Sequence, residues 1–304
     1  MFFKNLTVFR LNSSENFNLT TLNEQLGRNL ARDCHAHEHM TAGWVPVNEA
    51  NNIHRVDGAA FAKLAIQTKI LPAAALNEEV KKRADALAES QGYAPGRKAL
   101  RELKERVIEE LLPNALKKTR HVHVLLDLRN GWMAIDAASG AHVDAVIEQL
   151  RFCLDAFPVA PLHTALSPSS AMADWLAAMD APEGFSIDQD CQLKDIGEEK
   201  STVTYARQSL ESVAQEIREH LASGKQPTKL ALTWDDRISF VLTENMALRR
   251  LAFLDIVQEQ ADNNAECAAE KEEADRAIML GELRRLLPAV VDALGGAVEQ
   301  EFPQ

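Results

Sequence analysis

An α+β fold made of two related halves is what this 304-residue chain predicts. Three observations carry that reading. Between Pro95 and Ala137 the apolar period switches from helical to two, and the strand turns back at Asn130-Gly131. The order strand, helix, hairpin, helix then occurs once in each half, though no residue-level repeat is visible. Finally, 46% hydrophobic and 26% charged residues over this length can bury a large core split into two subdomains.

Taken in order, Lys4 to Leu11 reads as a strand, with Leu6 and Val8 flanking Thr7. Thr21-Leu22-Asn23-Glu24 has the spacing of a capping box and opens a short helix carrying Leu22, Leu26 and Leu30. Residues 33–58 are rich in His, Asn and Gly, with Gly43-Trp44-Val45-Pro46 a buried turn or short strand. Phe61 to Ile70 is a strand stopped by Pro72, and Asn77 caps a helix to about Glu89. Gly92, Pro95 and Gly96 break it. Leu100, Leu103, Val107 and Leu111 form the apolar face of the next helix, which Pro113 ends because it has no amide hydrogen to donate. Val122, Val124, Leu126 and Leu128 alternate with His121, His123, Leu125 and Asp127 in a half-buried strand, and Trp132 to Asp136 returns. Ala141 to Phe157 is an amphipathic helix with Val143, Val146, Ile147, Leu150 and Leu154 inward.

Pro158 to Leu162 and Ser167-Pro168 mark the junction between halves. Beyond it, Thr202 to Ala206 is a strand, Ser209 caps a helix to about Ser223, and Gly224 closes it. Leu230, Leu232 and Trp234 alternate, Asp235-Asp236 turn, and Ile238, Phe240 and Leu242 alternate back. Leu251 to Leu254 adds a third strand. A long helix with Ile278, Leu283, Leu286, Leu287, Val290, Val291 and Leu294 ends at Gly295-Gly296. The division is therefore 1–75 with 119–166, a basic helical insert over 76–118, and 167–304 with acidic C-terminal helices.

Charge is unevenly distributed. The formal net charge is −12, yet residues 97–120 hold eight Lys/Arg against four Glu, a local +4. Residues 255–304 hold twelve Asp/Glu against four Lys/Arg, a local −8. A polyanion partner would have to meet a confined basic zone. The plain alternative is a solvated helix face laced with Glu–Lys pairs. Arg97, Lys98, Arg101 and Lys104 cluster within two turns, and Lys117 and Lys118 follow; these are the candidate polyanion-contacting cations. Arg284 and Arg285, in the acidic region, are expected to take no part. No apolar run approaches the 18 residues that span a bilayer, and Met1 to Arg10 has no signal-peptide core. A cytoplasmic protein is expected.

Catalytic patterns are few. Cys34, Cys153, Cys191 and Cys267 are scattered, which argues against a disulfide framework or a four-thiolate zinc site. Cys34-His35-Ala36-His37-Glu38-His39 is the best metal candidate, but it is one compact loop cluster rather than two separated ligand pairs. Asp127 and Asp136 flank the hairpin as a nuclease carboxylate pair would, or simply as polar hairpin ends. No GxSxG, HExxH or GxGxxG occurs. A non-enzymatic binding protein without metal or cofactor is the expectation.

Nine motifs in order then resemble one family. They are Phe3 to Leu11, Gly43-Trp44-Val45-Pro46, Lys69-Ile70-Leu71-Pro72, Leu111-Leu112-Pro113-Asn114-Ala115, Pro158 to Leu162, Thr228 to Trp234, Arg237 to Val241, Leu248 to Phe253, and Ala293-Leu294-Gly295-Gly296. Together they resemble the bacterial recombination-associated RdgC family from end to end. The resemblance implies two horseshoe-like α+β subunits forming a ring-shaped homodimer. Double-stranded DNA would pass through the hole without sequence specificity, restraining RecA-dependent recombination at the nucleoid. It also implies DNA contacts at Arg207 and Gln208, before the second-half helix; the basic pair the family can place there is Ala206-Arg207 in this chain, followed by Gln208. Leu116, where the family can carry an aromatic ring contact, is the implied dimer contact. The competing readings are a metal-dependent nuclease or hydrolase, and an acidic protein–protein scaffold.

Overall fold

The computed structural model describes residues 2–11, 17–157, 159–195, 197, 201–255, 257 and 268–298. Cys267, Pro158 and much of the acidic stretch 255–267 lie outside them. The elements of the first half are β1 (Leu6–Leu11), α1 (Leu19–Leu26), β2 (Met40–Trp44), β3 (His54–Val56), β4 (Ala59–Ile70), α2 (Ala73–Gln91), α3 (Arg97–Leu111), β5 (Leu116–Asp127), β6 (Trp132–Asp136), α4 (Gly140–Cys153) and β7 (Val159–Pro161). The second half adds α5 (Pro168–Ala178), β8 (Phe185–Asp195), β9 (Thr202–Tyr205), α6 (Ala214–Ala222), β10 (Lys225–Trp234), β11 (Ile238–Thr243), β12 (Ala247–Phe253) and α7 (Ala268–Ala293). The mixed α+β class is as expected.

All the strands join one sheet in the order β2-β4-β5-β6-β1-β12-β11-β10-β8-β9, with β3 on β4 and β7 on β1. The halves meet at a narrow seam. The paired residues of β1 and β12 are Leu6 with Leu248 and Thr7 with Ala247. The Leu251 N–H adds a bond to the Lys4 carbonyl at 2.8 Å. The outer end of β1 pairs with β7 instead.

The two halves bury opposite faces of this sheet. On one face of the first half, Leu22 and Leu26 of α1 and Val143, Val146 and Leu150 of α4 pack on Ala62, Leu64, Val122, Val124, Met133 and Ile135. In the second half the opposite face is buried. There Met172, Ile217 and Leu283, from α5, α6 and α7, pack with Leu230, Leu232, Phe240 and Leu248, and the same cluster reaches back to Leu6, Phe61 and Leu125. Strand alternation makes this possible, since neighbouring residues point to opposite faces.

Several boundaries differ from the sequence pattern. Asn18, not Thr21, is the N-cap of α1: its side chain accepts from the Thr20 and Thr21 amides, and the Thr21 hydroxyl accepts from the Asn18 amide. α2 starts at Ala73 after Pro72 rather than at Asn77, since proline suits a helix entry. α6 starts at Ala214 after a 3-10 turn, so Ser209 is not its cap. The β5–β6 connection spans Leu128 to Gly131, because Asp127 pairs directly with Trp132; Gly131 takes the left-handed conformation at φ 70° and Asn130 does not. By contrast Asp235 and Asp236 both have φ 49°, and Arg237 N–H bonds the Trp234 carbonyl at 2.9 Å, a tight turn with two left-handed residues. α5 and β8 have no counterpart in the sequence reading. β8 hides because its ladder to β10 shifts register between Cys191 and Ile187, which breaks the period of two.

α7 holds the halves together through charges. Glu282, 3% exposed, accepts from Arg237 Nη2 at 2.7 Å and Nε at 3.0 Å, tying α7 to the β10–β11 turn. Two residues on, Arg284 donates to Asp127 at 2.7 and 2.9 Å and to the Asp57 carbonyl at 2.8 Å, tying α7 to the turns of the first half. Burial pushes the Asp127 carboxyl up, but the hydrogen bonds from Arg284 and Asn130 outweigh it and hold the carboxyl below its ordinary value. Arg284 and Arg285 are therefore structural, the latter bonded to Glu282 with its guanidinium 5.9 Å from the Trp234 ring centre. Removing one partner of a buried pair leaves the other charge uncompensated. Arg284→Ala should lower the urea unfolding free energy by about 3 kcal/mol. Arg129→Ala, which loses only an exposed 3.3 Å pair with Asp57, should stay within about 0.5 kcal/mol of the parent. Equal effects would remove α7 from its stapling role.

Candidate nucleic-acid interface

The predicted basic residues fall into separate places. Arg97, Lys98, Arg101 and Lys104 are all exposed on α3. Val107 anchors this helix, and α3 packs on α2 with Arg83 bridging Glu79 at 2.9 Å and Glu110 at 2.7 Å. The hydrogen bonds that Arg83 donates to those two carboxylates raise its pKa, the one to Glu110 acting most strongly. Arg101 pairs with Glu105 at 3.2 Å. Arg97, Lys98 and Lys104 form no ion pair among the described residues.

Lys117 and Lys118 do not act together. Their strand β5 pairs antiparallel with β4, Lys69 opposite Lys117 and Thr68 opposite Lys118, so the two ammonium groups leave opposite faces of the ribbon. Lys117 is engaged by Asp33 at 3.0 Å, and the Asp33 carboxyl is held below its usual value by hydrogen bonds from Gln67 first and Lys117 second. Lys118 and Arg120 share the face that carries α4. Nearby, burial and then the charge of Arg120 lower the pKa of His142 on α4.

The same face continues into the second half, where no described helix packs on it. There two adjoining hollows of about 540 and 400 Å³ share Asp190, Val241 and Arg250. Their cations are Lys229, Arg249, Arg250 and Arg207, interspersed with Gln192, Thr204, Ser239 and Thr243. The sequence reading missed Lys229, Arg249 and Arg250. Adjacent residues on a regular strand point to opposite faces, so Arg249 and Arg250 read as one inward and one outward. A bulge overturns this: Val241 pairs with Arg249 and Ser239 with Ala252, while Arg250 takes φ 51°. Both guanidinium groups consequently border one hollow. The only sequence signal was the Arg-Arg doublet itself.

Acidic neighbours order this surface. Arg207, itself left-handed at φ 57°, donates its backbone N–H to Asp190 Oδ1 at 2.9 Å, and Arg250 Nη2 reaches Asp190 Oδ2 at 2.6 Å. These contacts, the Arg207 amide first, hold the Asp190 carboxyl below its ordinary value. The Arg207 side chain forms no ion pair among the described residues. Gln208 is exposed beside it, and its amide hydrogen bonds the Gln189 carbonyl at 3.4 Å. Arg249 donates to the Ala137 carbonyl just before α4. Beneath the floor, burial pushes the Cys191 thiol up to about 12, which leaves it protonated at neutral pH. The array is therefore fixed positive charge with hydroxyl and amide donors on a flat sheet. That is chemistry that suits phosphate oxygens.

The other candidates are spent on the fold. In the 34–39 segment Cys34 donates its amide to Gln67, Glu38 is held by Arg32 at 2.7 Å, and the His35 carbonyl accepts from buried Lys69 at 2.7 Å. Among the described residues no three His, Cys, Asp or Glu side chains converge as a metal-ligand set. Asp136 accepts the Asn5 amide at 2.8 Å and the Lys4 amide at 3.2 Å. Leu116 starts β5 at 79% exposure, so it is not a core residue. Its cross-strand partner Ile70 is 44% exposed.

A model of the family described as "Putative exonuclease, RdgC" matches residues 1–297. The recombination-associated protein RdgC of Dechloromonas aromatica is 51% identical over 300 residues, 98% of this chain and 99% of that protein. The protein of the same name from Janthinobacterium sp. is 41% identical over 302 residues, covering 99% of this chain and 100% of that one. That of Cupriavidus pinatubonensis is 42% identical over 297 residues, covering 97% and 99%.

Arg207→Gln and Lys229→Gln remove charges that bear no ion pair among the described residues. Each should change the unfolding free energy by less than about 0.5 kcal/mol. A larger loss in thermal melts would assign these residues to the fold instead of the surface.

Proposed function

This chain belongs to the RdgC family, and on that premise we propose that it is a non-enzymatic, recombination-associated protein that binds double-stranded DNA without sequence preference. It encircles the duplex as a ring-shaped homodimer and restrains RecA-dependent recombination in the nucleoid. The observation that carries the reading is the open basic face: Lys229, Arg249, Arg250 and Arg207 on one half, Lys118 and Arg120 on the same face of the other, in a chain of net charge −12. A basic patch on a chain of net negative charge grips phosphate locally. The names of the relatives support the place in recombination.

The ring rests on Leu116. An exposed Leu beside exposed Ile70 at the end of a twelve-residue ribbon forgoes roughly 1.5–3 kcal/mol of burial per side chain. A second copy covering that end would recover it.

The description of the matching family favours a second reading, an exonuclease. Against it, Asp127 is engaged by Arg284 and Asn130, and Asp136 by two backbone amides, so neither carboxylate of the candidate pair is free to serve a reaction. Incubation of end-labelled duplex with Mg²⁺ or Mn²⁺, with and without chelator, decides: divalent-dependent shortening would overturn the non-enzymatic assignment.

Titrations on unrelated duplexes should give matching affinities, with log K falling linearly in log salt at about −0.9 per phosphate neutralised. The double variant Arg207→Gln/Lys229→Gln should flatten that slope by roughly 1.8. A sequence-selective or salt-insensitive isotherm would refute the proposal, and absence of binding at low salt would favour an acidic scaffold. Leu116→Ser should weaken dimerisation in sedimentation runs with circular dichroism unchanged. An undiminished dimer would move the contact elsewhere.

A further inference from the structure

Away from the open face lies a recess of about 170 Å³ between the N-terminal half of α7 and the first-half sheet. Strand pairing builds one wall. Lys63 stands opposite His123, and His54 stands opposite Phe61, two residues from Lys63 on the same face. α7 supplies the other wall with Arg276, whose side chain is 15% exposed and ion-paired with Glu272. Four nitrogen-bearing side chains thus face one another across the recess, and the carboxylate among them is already engaged. Lys63 forms no ion pair among the described residues. The volume is ten or more times the roughly 10–15 Å³ that admits one water, so a polyatomic anion fits.

We propose that this recess is a binding site for a phosphomonoester, held by Lys63 and Arg276 and by hydrogen bonds from His54 and His123. Two sources present that chemistry, a free mononucleotide and a 5′-phosphorylated DNA end. Burial lowers the pKa of both imidazoles; Lys63, His121 and Arg276 add to this around His123, while Asp136 opposes it. Around His54, Arg276 and Lys63 lower and Glu272 and Glu273 raise. A dianion bound among them raises both pKa values, so the complex takes up protons that the free protein lacks. Affinity is then greatest at low pH and falls as pH rises through the imidazole pKa values of the complex. Above pH 7 the phosphomonoester is mostly dianionic, its second pKa being about 6, so the change between pH 7 and 8 reports the imidazoles.

The test follows the histidine ring signals by NMR in the full chain, with inorganic phosphate, deoxyadenosine monophosphate, deoxyadenosine, and short duplexes bearing 5′-phosphate or 5′-hydroxyl ends. Phosphate and the nucleotide should shift the His54 and His123 signals and raise their pKa values, and the nucleoside should not. Nucleotide affinity should fall up to tenfold from pH 7 to 8 for each proton taken up. Lys63→Met should weaken binding at least tenfold, and Lys63→Arg should restore it. If only the phosphorylated duplex end acts, the source is DNA; if only the nucleotide acts, it is the free metabolite. Unmoved signals with every phosphate at 10 mM would overturn the proposal, a readout that needs no variant to fold. Duplex binding through the basic face should keep its salt slope in Lys63→Met, so the two readings fail separately.

Discussion

The ion pairs that α7 makes within a single turn, at Glu282 and Arg284, are the constraint on which the rest depends. Glu282 grips Arg237 of the second half, and Arg284 grips Asp127 and the Asp57 carbonyl of the first. The sheet itself crosses between the halves through only two register pairs of β1 and β12. Two ladder positions would be a weak joint. A buried Asp127, 1% exposed, makes it a strong one, because separating the halves would leave a carboxylate in apolar surroundings without its guanidinium.

That joint makes an alternating architecture workable. With α1 and α4 on one face and α5, α6 and α7 on the other, each half keeps one large helical layer. The sheet face left open in the second half is continuous with the α4 face of the first. Basic side chains collect there, at Lys118, Arg120, Lys229, Arg249 and Arg250, while the acidic residues that dominate the overall charge concentrate in and before α7. These basic residues of the described sheet thus share one face, which suits phosphate binding by an acidic protein.

Much of this was legible locally. The apolar period of β4, β5, β10 and β11, the cap and breaker residues around α3, and the ordered motifs from Phe3 to Gly296 follow from residue type and spacing within about ten positions. They determined most of the elements, though not α5 or β8, together with the α+β class and the family resemblance. Hydrophobic alternation is a property of the chain alone, because burial of one strand face needs no knowledge of which strand lies beside it.

Tertiary structure decided which charges act together. Lys117 and Lys118, adjacent in sequence, are separated by the ribbon, and Asp33, 84 positions away, neutralises one of them. Arg249 and Arg250 share a hollow because β12 carries a bulge where it pairs with β11. Arg284 became a staple because a hairpin turn 157 positions earlier brought Asp127 beneath it. Strand register and helix docking are long-range choices, and charge acts over distances that sequence separation does not measure. The chain therefore declares its elements residue by residue, and only the completed fold says which of its cations are free to meet a partner.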